Sequence, residues 1–437
     1  MIPIIYLYLL ASQKPKTDLK KLVPLFFIFG LNAFLGNCQE TGFFNDKTQK
    51  LVELDSLLLQ TFSSNPEAFI DYSIQYIELA HELDSIEEAA RKAMNVQRPL
   101  TIYANDPKKA ITIINSVLIR KYKIKDSLLL GGLYLKRGRA MAKVNLEKAI
   151  EDYTVAIKNF SEKDTLNIAD AHLFRGQAYS STGKFVEASE NFTKAYILYE
   201  SKKAYAYMVY AQQGIINMFS MNGFYDKAKK ERENLINKMR LLNLDTYLAG
   251  EYFNQAIDYR KMGKRRLEYE SLLEAEKLYD ENPSNTSTFI GIHSMLIGYY
   301  CDFEQFDKAK IHLDFLEALD YNFAGDTASE INYLGGKAEY LKANGELSLA
   351  LKLAQKKLEL AQQLGIEDEI MGSYDLLSEI YLSVGEPYKS IESAKAASAI
   401  RNSIYNIYTT TKINFSSFIF NNIDIYRKVK VIVMGII

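Results

Sequence analysis

Apolar and small residues return down this chain with two periods at once. Over residues 171–196, AHLFRGQAYSSTGKFVEASENFTKAY, Phe185 and Phe192 stand seven apart, as do Ala188 and Ala195. That spacing puts each pair on one helical face, two turns apart. Two amphipathic helices meeting at Gly183 are predicted. The second period is longer. A turn residue recurs at Asn65, Asn105, Asn145, Gly183, Gly223, Gly263, Glu304, Gly345 and Gly385, at a nearly constant interval. Eight of these nine are Gly or Asn, the types that most readily take a left-handed backbone. Each is therefore expected to end one helix and release the next. Self-similarity of this length is the signature of a repeat array. It predicts about nine helix pairs between residues 46 and 407.

The unit at 171–196 carries Gly176, Tyr179, Gly183, Phe185, Ala188, Phe192 and Ala195, spaced G-x2-Y-x3-G-x-F-x2-A-x3-F-x2-A. This ladder resembles the tetratricopeptide repeat. Each position has a physical role. Gly176 admits a second helix closely, Gly183 ends the first helix, Ala188 sits where two helices cross, and Tyr179 fills the gap behind. Phe219, Tyr225 and Ala228 keep the register around Gly223, as do Leu347 and Ala350 around Gly345. Phe306 and Ala309, Ala110, and Gly138 with Tyr153 and Ala156 continue it. Around Gly263 the match is poor, because Glu268 stands where Ala belongs. The standard unit is about 34 residues, so a period near 40 implies longer helices. HEAT and armadillo arrays share the longer period but not the ladder. The resemblance implies an all-α, right-handed solenoid of stacked helix pairs.

Composition narrows the function. The chain has 437 residues, 48% hydrophobic and 24% charged, with a net charge of −1. No global field recruits nucleic acid. Tyr (31) and Phe (23) supply the aromatic packing, since Trp is absent. Cys38 and Cys301 make no disulfide framework. His81, His172, His293 and His312 are too scattered along the chain to suggest a metal site from spacing. His81 lies in AHELD, without the second His of a zinc-protease helix. No phosphate loop, dinucleotide fingerprint or nucleophile elbow appears. The expectation is a protein that is not an enzyme, with no cofactor and no metal.

In tetratricopeptide arrays the first helix of each pair lines the concave face. Carried across by the turn ladder and helical spacing, that face includes Arg139, Gln177, Gln213, Asn217, Arg260 and Lys342, with Tyr210 and Phe253 nearby. Amides, cations and aromatics suit an extended peptide or an amphipathic helix; solvated residues on an ordinary helix face are the plainer reading. The expected partner is a protein or peptide. His172 and His293 share one register, four before the close-packing position, and are read as helix-packing groups. Cys301 is read as a small buried residue within a helix, and KMGKRR at 261–266 as a solvated face.

The two ends differ from the array. Residues 22–36, LVPLFFIFGLNAFLG, follow Lys14, Lys16, Lys20 and Lys21, the order of an export signal with a core short for a membrane span. Leu35-Gly36-Asn37-Cys38 resembles the lipobox of bacterial lipoproteins, although Asn37 departs from its small residue. That resemblance implies lipidation at Cys38, a signal over 1–38 and attachment to the cell envelope. The other reading is an inert cysteine beside an uncleaved anchor. A second apolar run at 2–10 suggests that translation starts later, near Leu19. Residues 408–437 lose the Ala and Gly ladder and form an expected irregular tail. The array also resembles the sensor portion of bacterial membrane-bound regulators, so a truncated regulator half is the alternative to a free-standing scaffold.

Overall fold

A computed structural model describes residues 41–221, 224–283 and 285–403. The export segment with Cys38, the tail from 408, and Gly223 lie outside the described residues. The chain divides between Asp164 and Thr165 into two compact units. The first carries α1 (Thr41–Thr61), α2 (Pro66–Glu82), α3 (Ile86–Ile102), α4 (Pro107–Leu118), α5 (Ser127–Met141) and α6 (Leu146–Asn159). The second carries α7 (Thr165–Ser181), α8 (Phe185–Ser201), α9 (Tyr205–Met221), α10 (Tyr225–Leu241), α11 (Leu248–Lys261) and α12 (Arg265–Glu281). It continues with α13 (Thr286–Asp302), α14 (Phe306–Ala318), α15 (Thr327–Ala343), α16 (Leu347–Leu364), α17 (Glu367–Ser383) and α18, helical over 387–403. Among the described residues there is no strand, and these helices form nine pairs.

The recurring turn residues sit between the helices of each pair, by two devices. Asn105, Gly183, Gly263, Glu304, Gly345 and Gly385 are left-handed, with φ from +49° to +81°. After Gly183, the Lys184 N–H donates to the Tyr179 carbonyl at 2.9 Å, and the same closure joins Lys264 to Tyr259, Gln305 to Tyr300 and Glu346 to Leu341. These reach-back bonds satisfy the last carbonyls of the first helix. Asn65 and Asn145 work differently from the expectation. Their backbones are extended (φ −148° and −155°), and their side chains accept from the Ala68 and Lys148 N–H groups. They are N-caps of the second helix. Asparagine serves both devices, which is why residue type alone did not separate them.

The ladder residues close the pairs. Ala110, Ala149, Ala188, Ala228, Ala309 and Ala350 are all fully buried. A Cβ on Gly176 would meet the Phe192 ring at 2.9 Å, and one on Gly214 would meet it at 2.7 Å. Phe192 is thus clasped by glycines from the first helices of two successive pairs, and its burial contributes about 2–3 kcal/mol. In the first unit Gly138 makes the same approach to Tyr153 at 2.7 Å. Within the second unit neighbouring first helices also pack on one another: α7 on α9, α11 on α13, α13 on α15 and α15 on α17. This stacking presents a shared row of first-helix side chains.

Candidate binding surface

The six candidate residues all lie on first helices, but the structure gives them different surroundings. Gln177 on α7 and Asn217 on α9 are half-buried and occupy the same register, six residues before their turn positions. Neither side-chain amide has a hydrogen-bond partner among the described residues. Arg260 on α11 is exposed; its Nε donates to Glu268 at 2.7 Å and its Nη2 to the Met295 carbonyl at 3.3 Å. Lys342 on α15 is held by Glu339 at 2.7 Å and Glu379 at 2.5 Å. Burial opposes its charge, but the two carboxylates outweigh burial and its pKa is raised. Arg139, on α5 in the first unit, is half-buried, and its charge acts on the Tyr153 phenol.

Gln213 departs from the expectation. It is only 6% exposed, and its amide nitrogen donates to the Glu251 carboxylate. Glu251 in turn takes Arg232 at 2.8 Å, and Arg232 also reaches Asp258 at 2.8 Å, which accepts from Ser220. Arg232 is 1% exposed and Glu251 wholly buried. A buried charge is tolerated only when paired and hydrogen-bonded, and here one guanidinium answers two carboxylates. The network ties α9, α10 and α11. Gln213 is part of the interior because the residue facing it is a buried carboxylate.

The 261–266 cluster is likewise more than a solvated face. Arg265 donates to Glu268 at 2.6 Å and to Asp302, and its guanidinium lies 5.2 Å over the Tyr299 ring. Lys261 pairs with Asp368 at 2.7 Å, joining α11 to the start of α17 across 107 residues of sequence. Arg266 is exposed and pairs with Glu270 one turn further along its own helix.

A second pattern, invisible to the ladder, links the two helices of five pairs. Eight residues after the turn, a polar group on the second helix meets one eleven or eight before it. Asn191 accepts from His172 Nδ1 and Arg175 Nε, both at 2.9 Å. Gln212 donates to Glu231 at 3.0 Å, Ser271 meets Gln255 at 3.3 Å, and His293 meets His312 at 2.8 Å. In the first unit, where the turn is one residue shorter, Arg137 grips Asp152 at 2.9 and 2.5 Å. The constant interval of 19 from His172 to Asn191, Gln212 to Glu231 and His293 to His312 was the available signal.

His172 and His293 are both buried. Burial, foremost, pushes the His172 pKa down to about 4, so the ring is neutral near pH 7. Cys301 lies near the end of α13 and is half-buried, and burial raises its thiol to about 12. It is therefore no thiolate nucleophile at neutral pH. The histidines scattered along the sequence are not scattered in space: His293 and His312 converge, with Glu276 beside them.

No family model matches the chain, and no curated protein matches it in sequence. Solved structures do match. A Rap protein complexed with Competence and Sporulation Factor aligns at TM-score 0.52 and 14% identity, over 83% of this chain and 99% of that one. Together with the Gly-Tyr-Gly-Phe-Ala ladder, this decides the fold. The chain is a tetratricopeptide-type repeat array. The apo form of the quorum sensor NprR from B. thuringiensis aligns at TM-score 0.50 and 14% identity, covering 82% of this chain and 99% of that one. A tetratricopeptide repeat protein from Parabacteroides merdae gives 0.46 and 15% over 66% and 99%. Among the described residues, no helix of the array is long and apolar enough to cross a membrane.

Proposed function

We propose that this tetratricopeptide array is a non-enzymatic scaffold that holds an extended peptide segment of a partner protein against its first helices. One observation carries the reading. Gln177 and Asn217 stand in the same register on adjacent first helices, half-buried, with no hydrogen-bond partner among the described residues. Each amide offers donors and an acceptor, the complement of a peptide backbone, and two of them one repeat apart fix its direction. Arg260 and Lys342 contribute less, because Glu268, Glu339 and Glu379 already answer their charge. The similar structures fit this reading: one is a Rap protein complexed with Competence and Sporulation Factor, another a quorum sensor.

The test is selection from a random peptide library on the immobilised full chain, followed by calorimetry of a selected peptide. The double variant Gln177→Leu, Asn217→Leu is expected to weaken binding at least tenfold, since two half-buried hydrogen-bonding positions at about 1 kcal/mol each are lost. Unchanged affinity in that variant removes the peptide from this row. We further propose that the scaffold works in the cell envelope, on the basic and apolar pattern before Cys38. Mass spectrometry of the mature N-terminus tests this: a lipid-modified Cys38 supports it, and an unprocessed N-terminus refutes it.

A further inference from the structure

We infer that Glu276, His293 and His312 form a binding site for a divalent first-row transition metal ion, with zinc the best match. The three come from successive helices, α12, α13 and α14. His293 Nδ1 lies 2.8 Å from His312 Nδ1, and the Glu276 Oε1 lies 3.7 Å from the first and 3.5 Å from the second. The circle through three atoms at those separations has a radius of about 2.0 Å, the length of a zinc-to-imidazole or zinc-to-carboxylate bond. One point therefore sits at bonding distance from all three atoms. Two imidazoles and one carboxylate leave a fourth position open in a tetrahedral zinc shell.

The alternative is a hydrogen bond between the two rings. It uses one proton and explains their close contact. It leaves the carboxylate oxygen beyond hydrogen-bond distance of both nitrogens yet aimed between them. The equivalent rung between α7 and α8 shows the contrast. There His172 Nδ1 meets an amide, and the third group is the cation Arg175. In this rung the amide is replaced by a second imidazole, Leu296 stands at the register of Arg175, and the third polar group is Glu276, reaching in from the preceding helix α12. The electrostatic sign is reversed, from a site completed by its own positive charge to one that would be completed by an added cation.

The surroundings suit a metal. His293 and His312 are 3% and 8% exposed. Phe289 packs 4.0 Å from the His293 ring centre and Tyr300 stacks on His312 at 5.4 Å, which holds both rings in place. Both rings are enclosed by apolar and aromatic neighbours, an environment that disfavours a charge on either imidazole. The Glu276 side chain is a quarter exposed, which gives the ion a route in.

The test uses the full chain without a histidine tag, stripped with a chelator. Zn²⁺ is titrated in competition with a chromophoric chelator, and Co²⁺ serves as a spectroscopic probe of tetrahedral coordination. The expected result is one ion per chain and visible Co²⁺ bands. His312→Asn restores the rung seen at Asn191, and Glu276→Gln keeps side-chain volume, so either reports if the other misfolds by circular dichroism. Each should weaken Zn²⁺ at least about 100-fold, the upper end of what even an outer-sphere change costs, and abolish the thermal stabilisation by Zn²⁺. No stoichiometric ion in the wild type, or wild-type affinity in both folded variants, overturns the site.

Discussion

The pair α7–α8 and the pair α11–α12 have nearly the same length and the same turn, yet different interiors. In α7–α8 the crossing point is Ala188 against Gly176, and the knob is Phe192. In α11–α12 the residue at the Ala position is Glu268, wholly buried and bracketed by Arg260 and Arg265, while Glu251 and Asp258 bind Arg232 behind it. The repeat geometry therefore fixes where a side chain lies, not its chemistry. An apolar crossing needs only shape. An ionic crossing needs every partner present, because its desolvation cost is offset only by complete pairing.

The largest effect is expected where that pairing is cut. Arg232→Met leaves Glu251 and Asp258 buried without their cation and should destabilise the array by about 3–5 kcal/mol, read by urea denaturation. Adding Glu251→Gln and Asp258→Asn should recover much of the loss. A single-variant loss under about 1 kcal/mol, within the ordinary range of point substitutions, would mean that water already reaches the triad. The two pairs would then differ less than their burial indicates.

A smaller effect sharpens the apolar side. Glycine to alanine inside a helix gains about 1 kcal/mol in propensity. At Gly214 the new methyl would meet the Phe192 ring at 2.7 Å, whereas at Gly250 on α11 nothing lies within 4 Å. Overpacking costs about 1–3 kcal/mol. Gly214→Ala should therefore lower the melting temperature and Gly250→Ala raise it. Equal responses would show that Phe192 yields, and that the tight clasp is not what closes α7–α8.

Much of this architecture was legible because packing repeats. Turn positions recur in every unit, buried alanines in most of them, and the close-packing glycine at Gly138 and Gly176, and a recurrence survives one substitution. The Glu268 unit read as a poor match because the ladder encodes size and polarity together, while the structure keeps only position. Gln213 read as a groove residue because helical spacing places it on the first helix, but its depth depends on Glu251, one repeat later in the chain. The histidine cluster was illegible for the same reason. The intervals among Glu276, His293 and His312 mean nothing until helix lengths and turns are fixed. Gln177 and Asn217 were legible as first-helix residues, since their register depends only on the turn that follows.

The smallest effect tests whether the turn ladder itself is uniform between the two kinds of pair. Gly183 and Gly263 close α7–α8 and α11–α12 with left-handed glycine, but the next pair closes with Glu304 at φ +55°. A residue with a Cβ is strained there by about 1 kcal/mol or more. The exposed Glu304 side chain has no compensating bond among the described residues, while its N–H still donates to the Cys301 carbonyl at 3.1 Å. Glu304→Gly should keep that bond, remove the strain and stabilise the array by up to about 1 kcal/mol, less the added entropy of the unfolded glycine. Thermal denaturation beside Gly263→Glu, expected to move the opposite way, separates turn strain from loss of the glutamate charge. If both variants are neutral, the reach-back bond from Gln305 to Tyr300 holds the turn irrespective of residue type, and the ladder marks spacing rather than stability.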